Sequence, residues 1–214
     1  GGVGLTTLAY CAVSADGCGT PNEMILTEAV VPGLRRLADA VHAEGAAVAA
    51  QIGHAGAVAG AIGRRGISPS PIFSPMALRR TRQATDGDIA RVTADFVRAA
   101  RVVADGGFDA IEIHLGHGYL LSEFLSPRLN RRRDQWGGSL ENRARFPRQV
   151  VRAVRTAVGD RLAVTAKLNM ADGVPGGLWL DESVQVARFL ELDGALDAIE
   201  LTGGSSLENP MYLF

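Results

Sequence analysis

Short apolar runs alternate along the chain with longer amphipathic stretches, and this alternation constrains the fold more than any other feature of the sequence. Apolar runs bounded by turn residues predict strands, here over residues 5–13, 46–52, 110–113, 162–168 and 197–202. Apolar residues at helical spacing predict helices over residues 27–44, 140–158 and 181–192, and one more that is capped by Asp86 or Asp88 and ends at Ala104. The order β-α-β-α-β-α-β-α-β, with strands apolar enough for burial on both faces, predicts a parallel sheet.

Two of the predicted strands belong to a short internal repeat. The segments GGFDAIEI (106–113) and GALDAIEL (194–201) share Asp-Ala-Ile-Glu, and each places an acidic turn before a strand, as repeated barrel units do. Eight strands close a (β/α)8 barrel, whereas five are predicted here, and the apolar residues 211–214 should lead to a further element. We therefore expect an α/β fold, an incomplete (β/α)8 TIM barrel in one partial domain over residues 1–214, with strand material missing at both ends.

Composition and charge argue against several classes of binding partner. With 22 basic and 23 acidic residues the formal net charge is -1, whereas a nucleic-acid-binding surface needs a clustered basic excess. No run of about 18 apolar residues predicts a transmembrane helix, and the first residues do not resemble a signal peptide. Cys11 and Cys18 are too few for a disulfide scaffold, and reduced thiols are the simplest interpretation. We expect a cytoplasmic protein without a membrane or nucleic-acid partner.

His114, His117 and Tyr119 follow the third predicted strand within six residues. Because barrel enzymes place their chemistry at the C-terminal ends of strands, these side chains form the predicted floor of an active site. Taken alone, the two histidines also fit a structural role or part of a zinc site with His54 or Glu112. No HExxH or comparable ligand spacing is present, however, and no metal site is predicted.

Two other polar features each allow two roles when the sequence pattern alone is considered. Gln51 lies near the end of an otherwise apolar strand, where it either faces a ligand or bonds to neighbouring strand ends. Arg131 to Arg133 precede an aspartate, and they either pin a loop and meet solvent or contact the phosphates of a nicotinamide cofactor.

The segment EIHLGHGYLLSEFLSPRLNRRRDQWGGSLENRARF (112–146) resembles the signature segment of the old yellow enzyme family of FMN-dependent oxidoreductases. The similarity extends outward in order: GVGLTTLAYCAVSADG resembles that family's second barrel strand, AVAAQIGHAG its third, LAVTAKLNMADG its fifth and DAIELTGGSSLENPMYLF its sixth. The resemblance covers essentially the whole chain, and it implies that about strands two to six are present, while the first strand and the last two are missing.

The resemblance also implies an activity, the reduction of an activated alkene at the expense of NADH or NADPH. His114 and His117 fall on the pair that donates hydrogen bonds to the activating oxygen of the substrate, and Tyr119 falls on the proton donor. Two donors aimed at an oxygen that gains negative charge lower the barrier electrostatically. None of these side chains carries a hydride, so a cofactor must supply it. The implied partner is a small molecule with an activated double bond.

Three further positions are implied to contact FMN. Gln51 falls on the residue that faces the flavin pyrimidine edge, and Ala9 on a small strand-end residue against the isoalloxazine ring. Lys167 falls where many members have an arginine near N1 and O2 of the flavin. Lysine is a compact point charge without the bidentate fork of arginine, so the redox tuning of the flavin is expected to differ. An ion pair inside the barrel is the alternative role for Lys167.

Two alternatives accompany this interpretation. One is the longer branch that includes 2,4-dienoyl-CoA reductase and trimethylamine dehydrogenase, whose iron-sulfur cluster would lie in a C-terminal region beyond Phe214. The other is a barrel fragment that does not catalyse as it stands, because the family holds the FMN phosphate on loops after the seventh and eighth strands. The choice between NADH and NADPH and the formation of a homo-oligomer stay open.

Overall fold

The structure is a computed structural model that describes residues 2–60 and 65–209. Its strands are β1 (Leu5–Ala12), β2 (Met24–Ile25), β3 (Ala47–Gly53), β4 (Ile67–Ser68), β5 (Phe73–Ser74), β6 (Arg79–Arg80), β7 (Arg82–Gln83), β8 (Ala110–Leu115), β9 (Ala163–Asn169) and β10 (Ala198–Thr202). Its α-helices are α1 (Val31–Ala43), α2 (Asp86–Asp105), α3 (Leu120–Leu125), α4 (Leu140–Val158) and α5 (Leu180–Leu192).

Six strands form one sheet in the order β10-β9-β8-β3-β1-β2, and every neighbouring pair is parallel. The five longest of them are the five predicted strands, and β2 adds a two-residue edge to β1. Helices connect the consecutive long strands, as parallel pairing requires. The structure confirms the predicted parallel α/β sheet as part of a barrel, and residues 211–214 lie outside the described residues.

The two faces of the sheet differ sharply in chemistry. Ile111 and Ile113 of β8 are fully buried in a large apolar core that also contains Phe96 of α2 and Val154 of α4. Because side chains alternate along a strand, the residues between them face the other side. That second face carries Glu112, which contacts polar side chains of β3 and β9 rather than the helices. The helix-covered face therefore supplies the core, and the opposite face is free to carry chemistry.

Most element boundaries agree with the sequence pattern, but the start of α2 does not. The cap was predicted at Asp86 or Asp88, and this prediction is wrong. Thr85 is the N-cap: its Oγ1 accepts from the backbone N–H of Asp88, whose carboxylate accepts from the Thr85 N–H at 2.8 Å. This reciprocal arrangement is a capping box, in which Asp88 serves at the third helical position.

The predicted first helix also begins later than expected. Residues Glu28–Val30 form a short 3-10 turn, and α1 starts at Val31 with Pro32 in its first turn. Proline suits this place because the first helical N–H groups have no intrahelical acceptor. The short helix α3 was not predicted at all. None of the helices in the described residues combines the length and the hydropathy that a membrane-spanning segment needs.

Candidate active site

The end of β8 and the turn that follows it bring three predicted side chains together. His114 is the fifth residue of β8, and Tyr119 directly precedes α3. Between them the chain reverses through His117 (φ 59°) and Gly118 (φ 73°), both in the left-handed region. The ring centroid of His114 lies 5.0 Å from that of His117 and 4.8 Å from that of Tyr119, in edge-to-face geometry. We call these three residues, with Tyr10, the ring cluster.

Tyr10 is the member of the ring cluster that was not predicted. Its ring centroid lies 5.2 Å from that of Tyr119 and 6.3 Å from that of His114. The phenol donates a hydrogen bond to the carbonyl of Gly17 at 2.9 Å. A Cβ atom at Gly53 would lie only 2.7 Å from the Tyr10 ring, so the glycine at the end of β3 makes room for it. The signal in the sequence was an aromatic residue next to the predicted flavin contact Ala9.

His114 is held neutral. Burial first, and then the neighbouring His117 and Lys167, lower the pKa of its imidazole from 6.5 to about 3. A neutral imidazole has one donor and one acceptor nitrogen. Within the described residues, Nδ1 of His114 is buried without a hydrogen-bond partner, and such a group is costly unless something pairs with it. This nitrogen is therefore suited to a polar atom of a bound ligand.

His117 is fixed by contacts from two other strands. Its Nε2 lies 2.6 Å from Oγ1 of Thr202 in β10, and its backbone N–H donates to Oδ1 of Asn169, at the end of β9, at 2.9 Å. Tyr119 keeps its proton: burial, followed by the charge of Glu23, raises the pKa of its phenol. A protonated phenol in this position is a suitable general acid.

The polar face of the sheet carries a row of side chains from four adjacent strands. The amide nitrogen of Gln51 donates to Oε1 of Glu112 at 2.6 Å. Nζ of Lys167 lies 3.7 Å from the same oxygen and forms a second, shorter ion pair with Glu200. Burial, and then Glu200, raise the pKa of Glu112 to about 7. The structure thus brings Gln51 and Lys167 to one site. It also shows the alternative role of each: Gln51 bonds to Glu112 on a neighbouring strand, and Lys167 forms ion pairs inside the barrel.

Ala9 lies at an irregular point of β1. Leu8 pairs with Ala50 and Cys11 pairs with Ile52, so that two residues of β1, Ala9 and Tyr10, stand opposite Gln51 alone. Such a bulge re-aims the side chains at a strand end. Ala9 is exposed and lies beside the row that contains Gln51.

Arg132 and His54 have structural roles. Arg132 is buried, and its guanidinium donates to the carbonyls of Ala84 and Pro69 and pairs with Asp134 at 2.6 Å. It pins a loop, whereas Arg131 and Arg133 are exposed. His54 accepts from the backbone N–H of Gly56 at 3.1 Å. In the part of the chain that the structure describes, no group of three or more His, Cys, Asp or Glu side chains is placed to hold a metal ion.

A model of the NADH:flavin oxidoreductase / NADH oxidase family matches residues 1–198. The chain belongs to this family. The match confirms the resemblance to old yellow enzymes that the motifs indicated. Members of the family use FMN together with NADH or NADPH.

Individual relatives agree with this placement. The chain is 56% identical, over its full length, to a 4,4'-dithiodibutanoate disulfide reductase of Rhodococcus erythropolis, and it covers 54% of that protein. It is 36% identical over 95% of its length to a multifunctional alkene reductase/demethylase of Caballeronia cordobensis, of which it covers 30%. A solved 2-naphthoyl-CoA reductase superposes on 96% of the chain with a TM-score of 0.88 and 31% identity, and the chain covers 34% of that protein. The chain thus spans about half or less of these relatives.

The polar face fits the FMN that this family uses. The carboxamide of Gln51 both donates and accepts hydrogen bonds, as the flavin pyrimidine edge does with its carbonyl oxygens and N–H. Lys167, on a strand two positions away in the sheet, supplies this face with a cation, which is also paired with Glu112 and Glu200. The exposed Ala9, in the irregular part of β1 opposite Gln51, has a small side chain that leaves space for a planar ring.

Proposed function

We propose that the complete protein is an FMN-dependent NAD(P)H oxidoreductase that reduces a small molecule with an activated double bond. The observation that carries the proposal is the ring cluster, in which a neutral His114 with an unsatisfied Nδ1 lies against His117 and Tyr119. The alkene reductase/demethylase among the relatives supports this substrate class.

The two histidines are proposed to bind the activating oxygen of the substrate. Reduction places negative charge on that oxygen after the β-carbon receives hydride, and donors fixed in advance stabilise the charge. Each such donor is worth roughly 3 kcal/mol in other enzymes. His117 is fixed by Thr202 and Asn169, and His114 by burial, so neither has to reorganise when the charge develops.

Tyr119 is proposed to deliver the proton to the carbon next to the one that receives hydride. Its phenol is protonated because burial and Glu23 raise its pKa, and proton transfer by such a group contributes about 10²- to 10⁴-fold to a rate. Bound FMN supplies the hydride. Gln51, Ala9 and Lys167 are proposed to hold its ring system beside the ring cluster, with Lys167 as a point charge in place of the more common arginine.

The test separates the two half-reactions of the full-length holoenzyme by stopped-flow absorbance. Tyr119→Phe should slow the oxidation of the reduced flavin by 2-cyclohexenone at least about 10²-fold, because the proton donor is lost. Reduction of the flavin by NADPH should be unchanged. Equal loss in both half-reactions would contradict the role of Tyr119, and a wild-type protein that oxidises NADPH without reducing any enone would contradict the proposed substrate class.

A second candidate function is the reduction of a small disulfide, and the 56% identity to a disulfide reductase over the whole chain favours it. Hydride transfer to one sulfur breaks the S–S bond, and the electron pair leaves on the other sulfur as a thiolate. The thiolate then takes a proton, and two thiols result. The same three side chains suit this step, since the histidines stabilise the developing thiolate and Tyr119 protonates it. Rates of flavin oxidation by 2-cyclohexenone and by 4,4'-dithiodibutanoate rank the two candidates.

The longer iron-sulfur branch remains the alternative within the family. The chain also matches proteins of which it covers only about a third, such as the 2-naphthoyl-CoA reductase. A group of closely spaced cysteines in the coding sequence after Phe214 would place the protein in that branch. Such a group would leave the roles of the ring cluster unchanged.

A further inference from the structure

The structure contains a cavity of about 600 Å³ with a cationic wall. Arg80, Arg128 and Arg131 line it, together with one acidic residue, Glu208. Its volume is in the range of small-molecule sites. Three guanidinium groups against one carboxylate leave a net positive charge, which favours an anionic ligand.

Contacts from different parts of the chain hold the guanidinium groups of Arg80 and Arg128 and the backbone of Arg131. Nη2 of Arg80 donates to the carbonyl of Pro71 at 3.0 Å. Arg128 donates to the carbonyl of Pro175 at 3.1 Å, and its Nε pairs with Glu208 at 2.5 Å. The backbone of Arg131 is fixed by Ser70, whose Oγ accepts from its N–H at 3.0 Å. Two of the three guanidinium groups are therefore positioned before any ligand binds.

Apolar side chains form the rest of the cavity. Phe73, which is 57% exposed, lines it together with Leu129 and Leu207. An exposed phenylalanine beside fixed arginines suits a ligand with an apolar body and an anionic end. A diphosphate, which is polar over its whole surface, would leave this apolar wall uncovered.

Leu207 connects the cavity to the neighbourhood of the ring cluster. Leu207 packs against the same small apolar group, Ala55, Val58 and Ala59, as Tyr119 does. The N–H of the preceding residue, Ser206, donates to the carbonyl of His117 at 2.9 Å. The cavity and the ring cluster are therefore joined through Leu207 and its apolar neighbours.

We propose that this cavity binds the carboxylate of a substrate whose apolar body extends to the ring cluster, so that the protein selects carboxylate-bearing compounds. Arginine suits this task because its planar fork binds both carboxylate oxygens at once. The inference deepens the proposed function, on which it rests for the identity of the reducible group. The cavity itself supplies the selection for charge.

The test measures binding by calorimetry to the full-length holoenzyme, with 4-phenylbutanoate and the uncharged 4-phenylbutanamide as probes. The acid should bind at least about tenfold more tightly than the amide, because charge-assisted hydrogen bonds are the stronger ones. Arg131→Gln and Arg80→Gln should each weaken binding of the acid about tenfold and leave binding of the amide unchanged. Arg133→Gln is the matched control, since Arg133 is exposed and is not part of the cavity wall. It should change neither affinity.

Equal affinities of acid and amide would overturn the proposal. It would also be overturned if Arg131→Gln and Arg80→Gln left acid binding intact and instead raised the KM for NADPH relative to that for NADH. The cavity would then hold a phosphate of the nicotinamide nucleotide. The binding assay requires no turnover, so its result does not depend on whether the holoenzyme reduces enones. Failure of the proposed function would instead appear in the stopped-flow experiment with 2-cyclohexenone.

Discussion

Replacing His114 with Asn removes an imidazole that titrates in the unfolded chain but stays neutral in the folded protein. Burial, His117 and Lys167 lower the folded pKa from 6.5 to about 3. As the pH falls below 6.5, His114 binds a proton in the unfolded state but not in the folded state. The contribution of His114 to the free energy of unfolding is therefore fully present above pH 6.5 and is lost progressively toward pH 3. One pKa unit corresponds to about 1.36 kcal/mol, so the loss between about pH 7.5 and pH 4.5 should be about 2.7 kcal/mol.

The assay is urea unfolding of the full-length protein, followed by circular dichroism at several pH values. His114→Asn should destabilise the protein at about pH 7.5, and the difference from wild type should shrink by about 2.7 kcal/mol by about pH 4.5. His42→Asn is the control, because His42 is exposed and lies 2.8 Å from the carboxylate of Asp109; its effect should not shrink in this way. A constant difference between wild type and His114→Asn over this pH range would refute the neutral, buried imidazole on which the proposed site depends.

Two further outcomes follow from particular contacts. Thr85→Ala removes the cap of α2 and should lower the free energy of unfolding by about 1 kcal/mol. The control is Thr156→Ala, on the exposed side of α4, whose free energy of unfolding should stay within about 0.5 kcal/mol of wild type. Equal effects of the two substitutions would contradict the capping box. Glu112→Gln should raise the midpoint potential of bound FMN, because it removes a carboxylate 3.7 Å from Lys167. This rise should be larger at about pH 8.5 than at about pH 6, since the pKa of Glu112 is raised to about 7. The same potential in wild type and Glu112→Gln would show that the row does not face the flavin.

The parallel sheet and the three central side chains were predictable because the signals for them are local. His114, His117 and Tyr119 lie within six residues, so a single strand end and one turn bring them together. The five long strands are apolar runs bounded by turn residues, and four helices carry one apolar stripe each. Local patterns of this kind survive folding because tertiary packing uses them.

The features that were missed depend on contacts between distant residues or lack a periodic pattern. All six residues of α3 are buried, so no polar face marks it as a helix. Glu112 contacts Gln51 and Lys167 from strands that are each more than fifty residues away in sequence, and only the register of the sheet reveals these contacts. Tyr10 joins the ring cluster because of the irregularity in β1 opposite Gln51, which the apolar pattern of that strand does not indicate.

The central claim is that His114 and His117 bind an activated oxygen beside the flavin, next to Tyr119 as the proton donor. The most direct measurement is a titration of the oxidised full-length holoenzyme with p-hydroxybenzaldehyde, whose phenolic oxygen mimics the activated one, followed by the change in flavin absorbance. Wild type should show saturable binding, and His114→Ala and His117→Ala should each raise the Kd at least about tenfold, while His42→Ala leaves it unchanged. A Kd that is the same in wild type and in all three variants would contradict the account.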